Sequence, residues 1–362
     1  MTRLALVIHS LQYGGAERVL AQLAEHWSSA GHEVSLITLS DASTDSYPLP
    51  LSVRRFGLNL IRASKYPWDP FINNGKRISA LRNALSQAQP SVIISFTEKS
   101  NILTVMAGRG LGARIIIAER TDPRHHHISP VWGYLRRRTY PRADLLVAQT
   151  EAVAAYCRPT FQCPVKVIPN LAPVVSEIPG ERPASERKRL LAVGRLDPHK
   201  GFKQLITIFS HLATQQTEWD LRIVGEGPQR AELEKLREHY GLGDRVQLPG
   251  WNPAIENEYR EADLFVLSSD YEGFPNALLE AMAHGVPAVS YDCNSGPRDI
   301  IRHGQDGILV PVGNSGELER SLSQVMTGDA LRQRLGIAAR EVQTRFSPER
   351  IFAAWDDLLR DS

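Results

Sequence analysis

Residues 271–282 read YEGFPNALLEAM and closely follow the apolar run LFVL, which predicts a short buried strand. Gly273 tolerates unusual backbone conformations, Pro275 suits the first turn of a helix, and the residues after it are good helix formers. The stretch therefore predicts a strand, a turn and a helix in succession. Glu272 would lie at the turn and Glu280 about two helical turns further along.

The start of this helix is predicted to bind a ligand. The first amides of a helix have no partner inside it, so those of Phe274, Asn276 and Ala277 would accept an anion or a sugar hydroxyl. Both glutamates would then face the same ligand. A glutamate pair of this spacing also arises by chance in many helices, so its meaning depends on the rest of the chain.

Three further motifs follow the same strand-to-loop logic: YGGAER at residues 13–18, VGRLDPHKGF at 193–202 and SGPRDII at 295–301. With the glutamate pair, they resemble the signature of the retaining GT-B glycosyltransferases of family 4. The resemblance covers essentially the whole chain. It implies an α/β protein of GT-B architecture, in which two doubly wound Rossmann-like domains face a cleft that holds donor and acceptor.

Short apolar runs alternate with amphipathic stretches, as in parallel sheets flanked by helices. We expect a first helix at residues 16–30. The predicted strands of the first half are residues 4–8, 34–38, 92–95, 114–118, 144–148 and 165–168. Those of the second half are residues 190–193, 221–224, 246–248, 264–267, 288–291 and 308–310.

The domain boundary is predicted at a linker rich in Pro, Glu and Arg around residues 169–188. This gives an N-terminal acceptor domain, residues 1–170, and a C-terminal donor domain, residues 171–344. The last helix, residues 348–359, carries an apolar stripe that must pack on something. The resemblance implies that residues 345–362 return to the first domain.

Composition limits the class of protein. The chain has 362 residues, a formal net charge of +2 and three cysteines without metal-site or disulfide spacing, which favours a reducing compartment. The apolar run after Met1 is too short for a signal peptide and is interpreted as the first strand. Because no apolar stretch approaches the length that spans a bilayer, we expect any membrane association to be peripheral.

Positive charge is concentrated in the first half, with about 20 Lys and Arg against about 11 Asp and Glu in residues 1–170. The groups interleave with aromatic residues, which suits an anionic membrane surface or a phosphorylated acceptor. An ordinary solvated face is the alternative. We take Arg136, Arg137 and Arg138 as membrane-facing candidates. A second basic group surrounds Trp68 and comprises Arg54, Arg55, Arg62, Lys65, Lys76, Arg77 and Arg82.

The donor site is predicted from charge and from the resemblance. Arg195 and Lys200 follow a strand and could stabilise the charge that grows on a departing diphosphate, although a turn with two solvated basic residues is the alternative. The resemblance implies that both bind the diphosphate, that Glu280 binds the ribose hydroxyls and that Glu272 lies beside the donor sugar. The candidate catalytic residues are Arg195, Lys200 and Glu272.

Glycines complete the donor candidates. Gly15 lets the backbone after the first strand approach the diphosphate. Gly225 begins a turn beside the nucleotide rather than a dinucleotide site, since Arg230 stands where that fingerprint needs its third glycine. The full donor set is Gly15, Arg195, Lys200, Gly225, Glu272, Gly273, Phe274, Pro275, Asn276, Ala277 and Glu280.

The acceptor side departs from many relatives, which carry a histidine after the fifth strand. Here that strand continues into ERTDPR, a variant similar to the subgroup that extends lipid-diphosphate-linked oligosaccharides, bacterial N-acetylgalactosamine transferases included. Glu119, Arg120 and Asp122 are the acceptor-side candidates. The alternative is structural, because Glu119 and Arg120 could pair at the strand end.

We expect no metal or other cofactor. The side chains of the run at residues 125–127, three consecutive histidines, diverge from one another, and no second ligand cluster is apparent. There is also no Asp-x-Asp motif to hold a divalent ion on a diphosphate.

The sequence thus predicts a retaining transferase that moves GalNAc, GlcNAc, Gal or Glc from a UDP-sugar to a lipid-diphosphate-linked glycan during surface polysaccharide synthesis. It would be cytoplasmic, peripheral on the inner face of the membrane, and without nucleic-acid partners. Glu272 could act as nucleophile, or the leaving phosphate could take the acceptor proton on the front face, which the resemblance favours. A GT-B nucleotide-sugar 2-epimerase and a non-enzymatic protein that binds lipid surfaces or nucleic acid are the rival interpretations.

Overall fold

The computed structural model describes residues 1–12, 14–61, 69–126, 128–176 and 187–360. Predictions that involve Tyr13, Arg62, Lys65, Trp68 and His127, and most of the predicted linker, lie outside these residues. The chain divides into two compact units. One comprises Met1–Asn170 together with the C-terminal segment that starts at Glu349, and the other comprises Leu171–Pro348.

The first unit is built on a seven-stranded parallel sheet of order β3-β2-β1-β4-β5-β6-β7. Its strands are β1 Arg3–Ile8, β2 Glu33–Thr38, β3 Arg54–Gly57, β4 Val92–Phe96, β5 Arg114–Ala118, β6 Leu145–Ala148 and β7 Val165–Val167. Five helices connect them: α1 Gly15–Ser29, α2 Asp69–Ala88, α3 Glu98–Gly108, α4 Pro130–Thr139 and α5 Glu151–Phe161. The six strands predicted for this half are present.

The sequence did not predict β3. This edge strand has no fully buried residue and begins with two arginines, so it lacks the apolar run that marks the other strands. Arg55 nevertheless turns toward the protein, where it pairs with Asp45 at 2.8 Å and donates to Thr38 Oγ1 at 2.6 Å. It is therefore part of the sheet edge and not of a free basic surface.

The second unit contains a six-stranded parallel sheet of order β10-β9-β8-β11-β12-β13. Its strands are β8 Lys188–Val193, β9 Trp219–Val224, β10 Val246–Gly250, β11 Leu264–Leu267, β12 Ala288–Tyr291 and β13 Ile308–Val310. Its helices are α6 Phe202–Gln215, α7 Arg230–His239, α8 Ile255–Arg260, α9 Asn276–Ala283, α10 Pro297–Ile300, α11 Ser315–Thr327, α12 Asp329–Ala339 and α13 Val342–Arg345.

Both sheets reverse their strand order beside the central strand, between β1 and β4 in one and between β8 and β11 in the other. Open parallel sheets bind ligands beyond the carboxyl ends of their strands at this point, because the connecting helices diverge to opposite faces there. The predicted fold class of two doubly wound Rossmann-like domains is confirmed.

The last helix, α14 Pro348–Arg360, completes the core of the first unit. Trp355 is fully buried, with its ring 6.4 Å from that of Trp27, edge-on, and 5.8 Å from that of Phe96. Asp356 accepts a 2.8 Å hydrogen bond from the Trp27 indole, and Arg114 donates to the Leu358 carbonyl at 2.6 Å. The apolar stripe seen in the sequence is the face that makes these contacts.

The helices and the cysteines bear on membrane insertion and on covalent cross-links. No helix among the described residues combines the length and the apolar character needed to cross a bilayer. Cys157, Cys163 and Cys293 are buried and form no disulfide.

The packing of α14 predicts a large effect for one substitution. Trp355→Ala should lower the free energy of unfolding by about 3 to 5 kcal/mol, because it empties a fully buried site between two aromatic rings. Asp357→Ala, on the exposed face of the same helix, should change it by less than about 0.5 kcal/mol. Urea unfolding followed by circular dichroism measures both. Equal small losses would show that α14 does not stabilise this unit.

Candidate functional site

A partly buried ion pair lies at the strand-order reversal of the second unit. Lys200 ends the short turn after β8, and Glu272 lies in the loop after the neighbouring strand β11. Their side chains meet with Lys200 Nζ 2.7 Å from Glu272 Oε1, and the Ser269 hydroxyl donates to the same oxygen at 2.7 Å. Only 17% of the lysine side chain and 11% of the glutamate side chain are exposed. Two of the predicted catalytic residues are therefore in direct contact.

The two loops that carry this pair are fixed to each other by backbone contacts. The Asp270 amide donates to the His199 carbonyl at 2.8 Å, and the Ser268 hydroxyl donates to the Lys200 carbonyl at 2.8 Å. Gly201 has a φ of +69°, and a Cβ there would lie 2.1 Å from the Ser268 carbonyl oxygen. Only glycine allows this approach, so the motif at residues 193–202 needs its glycine for loop contact.

Aromatic groups flank the pair. The His199 ring stacks on Tyr271 with centroids 4.8 Å apart. Burial lowers the pKa of His199, and the positive charge of Lys200 lowers it further, so the imidazole is favoured as neutral.

Cys293 donates to the Ser269 carbonyl at 3.1 Å, and burial raises its pKa to about 12, which keeps the thiol protonated at neutral pH.

Arg195 occupies a different setting from Lys200. Its side chain is 71% exposed and lies 3.0 Å from Asp197. The turn after β9 packs on this segment, because the Leu196 amide donates to the Glu226 carbonyl at 2.9 Å. Gly225 has a φ of +148°, and a Cβ there would meet the Gly194 carbonyl at 1.9 Å. Gly225 therefore supports the loop that presents Arg195.

Helix α9 begins at Asn276, so Pro275, which was predicted in the first turn, lies one residue before it and provides no side-chain cap. Phe274 is buried and packs edge-on against Phe346 with centroids 5.5 Å apart, so its side chain belongs to the core and only its backbone could meet a ligand. The Gly273 carbonyl accepts from the Ser295 hydroxyl at 2.9 Å. The motif at residues 295–301 thus supports the loop before α9.

Glu280 lies in α9 and is 7% exposed. One carboxylate oxygen accepts a 2.9 Å hydrogen bond from the hydroxyl of Tyr259 in α8. Glu280 and Glu272 are thus held by different partners. Sequence reasoning missed Tyr259, which lies in the polar stretch IENEYR and shares no motif with α9. A contact between separate helices leaves no local pattern that could have identified it.

In the first unit, Glu119 is buried directly after β5. It accepts a 2.5 Å hydrogen bond from Tyr140 and lies 3.9 Å from Arg136 Nη1. Glu119 therefore does not make the pair with Arg120 that was the structural alternative for these residues, since adjacent residues after a strand point to opposite sides. Burial raises the pKa of Glu119, while the charge of Arg136 opposes that shift.

Among the described residues, no acidic side chain forms a hydrogen bond with Arg120. It donates to the Asn170 side-chain oxygen, and its guanidinium lies 4.5 Å from the centre of the Phe96 ring. Its Nε and Nη1 atoms are buried and have no hydrogen-bond partner in the described part of the chain. Burial lowers the pKa of Arg120 to about 9, with the nearby charge of Glu17 acting in the opposite direction.

Asp122, the third acceptor candidate, is also buried, and both its oxygens bind Arg124, at 2.9 Å and 2.7 Å. It further accepts from the Arg124 amide at 3.0 Å, so it shapes the loop. Nearby, His126 lies 3.4 Å from Glu98. Within the described part of the chain, no three His, Cys, Asp or Glu side chains gather as a metal site would require.

Comparison with known families identifies the chain. Residues 13–173 match the family described as Glycosyltransferase Family 4, and residues 176–342 match Glycosyl transferases group 1. The chain belongs to glycosyltransferase family 4. Its two doubly wound units are those of the GT-B fold.

Individual relatives agree with this assignment. The Campylobacter jejuni enzyme named GalNAc-alpha-(1->4)-GalNAc-alpha-(1->3)-diNAcBac-PP-undecaprenol alpha-1,4-N-acetyl-D-galactosaminyltransferase is 29% identical, over 100% of this chain and 99% of its own. A Streptomyces coelicolor exopolysaccharide phosphotransferase is 38% identical over 61% of this chain, which spans only 24% of that protein. The structure of Anabaena HepE with UDP-glucose superposes with a TM-score of 0.80 at 18% identity, covering all of both chains.

The glycine pair of this family 4 chain forms the turn into α1. Tyr47 fixes that turn, because its hydroxyl donates to the Gly14 carbonyl at 3.0 Å and lies 3.3 Å from the Gly14 amide. A Cβ at Gly14 would lie 2.1 Å from Glu17 Oε2. Gly15, the predicted donor contact, is exposed at the first position of the helix. No motif pointed to Tyr47, which lies 33 residues further along the chain.

The burial of Arg136 shows that one prediction is wrong. It was expected to face a membrane together with Arg137 and Arg138, but it is 8% exposed and lies 5.2 Å from the centre of the Phe161 ring. Consecutive residues of a helix lie roughly 100° apart around its axis, so three in a row cannot all face outward. Arg137 and Arg138 are exposed.

The loop contact at Gly201 predicts a contrast between two glycines with similar backbones. Gly304 has a φ of +76° with no atom within 4 Å of an added Cβ, so Gly304→Ala should cost about 1 kcal/mol from backbone strain alone. Gly201→Ala adds a backbone clash and should cost roughly 2 to 4 kcal/mol. Urea unfolding of both variants checks this. Similar losses would mean that the two loops of the second unit move apart easily.

Proposed function

We propose that this family 4 enzyme transfers a sugar from a UDP-sugar to a lipid-diphosphate-linked glycan and retains the configuration of the anomeric carbon. The Lys200–Glu272 pair carries the proposal, since it holds a cation and a carboxylate together at the strand-order reversal of a Rossmann-like domain. The name of the Campylobacter relative supports a lipid-diphosphate acceptor and an N-acetylgalactosamine donor. The UDP-glucose named for HepE supports a UDP-linked donor. Bacterial surface glycan synthesis is the setting that fits both.

On the donor side, Lys200 and Arg195 would bind the diphosphate. Glu272 already holds the lysine ammonium in place, so little side-chain entropy is lost when a phosphate oxygen accepts from another of its N–H groups. Arg195 is exposed and reaches toward solvent from the same loop. Negative charge on the diphosphate grows as the glycosidic bond breaks, and the two cations stabilise it.

Glu280 would bind the ribose hydroxyls. Its hydrogen bond with Tyr259 fixes one oxygen in a nearly buried carboxylate, which is a strong acceptor for hydroxyl donors. The backbone at the start of α9 would contribute amides to the sugar or phosphate.

For the chemical step we propose front-face attack, in which the leaving phosphate oxygen takes the proton of the acceptor hydroxyl. Glu272 would stabilise positive charge on the sugar. Its Oε1 atom already accepts from both Lys200 and Ser269, and a carboxylate so engaged is a weaker nucleophile than a free one. The alternative in which Glu272 attacks the sugar would have to break these contacts first.

On the acceptor side we propose that Arg120 binds the lipid diphosphate. Its two unpartnered donors suit phosphate oxygens, which arginine binds through paired hydrogen bonds. Glu119 and Asp122 would act as positioning residues, because their carboxylates already bind Tyr140 and Arg124. We also propose that the exposed Arg137 and Arg138 help the protein bind an anionic membrane from the cytoplasmic side.

The proposal is tested with a panel of UDP- and GDP-sugars, scored by thermal stabilisation and by transfer to an undecaprenyl-diphosphate glycan. We expect one UDP-sugar to be turned over, with an unchanged rate in excess EDTA because we propose no metal requirement. Activity lost in EDTA and restored by manganese would contradict the metal-free reaction. Isomerised donor in the absence of acceptor would identify an epimerase instead.

Variants of the donor site should separate binding from chemistry. Lys200→Ala and Glu280→Ala each remove one partner of a shielded polar contact and should weaken donor binding by roughly 2 to 4 kcal/mol. Glu272→Gln, which can still accept from Lys200 and Ser269, should instead lower kcat more than donor affinity. Calorimetric titration with UDP-sugar and steady-state rates give the two quantities. An unchanged kcat in Glu272→Gln would remove this residue from the mechanism.

The position of Arg120 predicts that the KM for the acceptor depends on the acceptor's diphosphate group. Arg120→Gln should raise the KM for an undecaprenyl-diphosphate glycan at least about tenfold, because a charge-assisted contact contributes about 1.5 to 3 kcal/mol. Donor affinity should stay unchanged, and the exposed Arg109→Gln serves as a matched control. The rates are compared with those on the same glycan attached to a simple alkyl group. An equal loss on both acceptors would show that Arg120 does not read the diphosphate.

A further inference from the structure

A cavity of about 330 Å³ lies in the first unit between α4 and α5, apart from the residues assigned to sugar transfer. Three aromatic side chains, Tyr134, Tyr156 and Phe161, form much of its wall. Arg136 and Arg137 supply its charged groups, and among the residues that the structure describes no Asp or Glu lines it. The cavity is therefore both aromatic and positive.

Arg136 is a buried cation whose hydrogen bonds are incomplete. It is 8% exposed, and its Nε and Nη1 atoms have no hydrogen-bond partner among the described residues. Its counter-ion Glu119 lies 3.9 Å from Nη1, too far for a hydrogen bond, and the nearer oxygen of that carboxylate is engaged by Tyr140. A buried guanidinium in this condition lacks acceptors that an entering oxyanion could supply.

Glu119 is the acid that faces Arg136, and other acids near the cavity are engaged by different cations. Asp122 binds Arg124 with both oxygens, and Glu151 pairs with Arg158 on the outer part of α5. Arg137 stays exposed at the cavity, so its charge is available to a ligand.

The size of the cavity selects among anions. A bare phosphate would fill little of 330 Å³, whereas small-molecule sites begin at about this volume. Arginine binds phosphate oxygens through paired hydrogen bonds, and aromatic walls accommodate the carbon part of an ester. The fit is therefore to a phosphate carried on a small organic group.

We propose that the cavity between α4 and α5 binds a phosphate ester of a small polyol through Arg136 and Arg137. Two sources carry this chemistry: glycerol phosphate in solution, and the headgroup of an anionic phospholipid at the membrane surface. The site goes beyond the proposed transfer reaction, because no residue of the donor or acceptor site lines it. It also gives Arg137 a role that its neighbour Arg138 does not share.

Two pairs of variants isolate the cavity. Arg137→Gln removes a lining charge, and Arg138→Gln removes one from an exposed neighbour that does not line the cavity. Gly133→Leu fills the cavity from α4, where an added Cβ meets nothing within 4 Å, and Gly75→Leu makes the same change at an equally open position in α2. Within each pair the same substitution is made at two positions, one that lines the cavity and one that does not.

Calorimetric titration with sn-glycerol 3-phosphate tests the first source, and flotation with phosphatidylglycerol vesicles, against phosphatidylcholine vesicles, tests the second. With sn-glycerol 3-phosphate we expect one saturable binding step that Arg137→Gln and Gly133→Leu weaken at least about tenfold, while Arg138→Gln and Gly75→Leu change it less than about twofold. With vesicles, Arg138→Gln should lose only the general attraction that both arginines supply, and Arg137→Gln should lose further affinity beyond that. Both arginine variants lose one charge, so general attraction to the vesicles falls equally and the difference reports the cavity.

The outcomes separate the sources. Selective loss with both probes supports the site and shows that it accepts the free ester, and selective loss with vesicles alone supports it with the lipid headgroup as ligand. Equal effects within each matched pair, or no binding of either probe by the wild-type protein, would overturn the proposal. None of these measurements involves donor turnover, so a failure of the proposed transferase activity would be seen separately.

Discussion

The architecture of the proposed donor site depends on the close approach of two backbone segments, Gly201 and the Ser268 carbonyl. This contact fixes the loop after β8 to the loop after β11, which in turn places the Lys200 ammonium against Glu272. The pair is shielded from water, where opposite charges interact more strongly than at an exposed surface. Parallel strands at the strand-order reversal bring both loops to one edge of the sheet. The ion pair is a consequence of that topology and of one glycine.

The first unit handles buried charge differently. Glu119, Tyr140 and Arg136 form a chain in which the outer contact is long and several polar atoms lack partners. Arg120, one residue after Glu119, is likewise incompletely bonded. Unsatisfied buried polar groups reduce stability, and natural proteins concentrate them at functional sites. Arg120 follows β5 and Arg136 lies on α4, and these two incompletely bonded arginines are the basis of our proposal that the first unit binds anionic ligands.

Local patterns were sufficient for most of the fold. Apolar runs with the right length and flanking turns located twelve of the strands, because each run reflects burial on both faces of a parallel sheet. The edge strand β3 was not predicted, because its residues do not form an apolar run. The apolar stripe of α14 predicted that this helix packs against other elements. The family resemblance of the chain indicated that it packs on the first unit.

The sequence by itself determined the alternation of strands and helices, the family, and the residues to suspect, because all of these follow from local propensity and motif spacing. Only the tertiary structure decided their contacts. Lys200 binds a glutamate 72 positions away, Tyr259 from another helix holds Glu280, and Arg136 is buried while Arg137 is exposed. These facts depend on how loops meet at a sheet edge and on which face a helix turns inward, and long-range packing sets both.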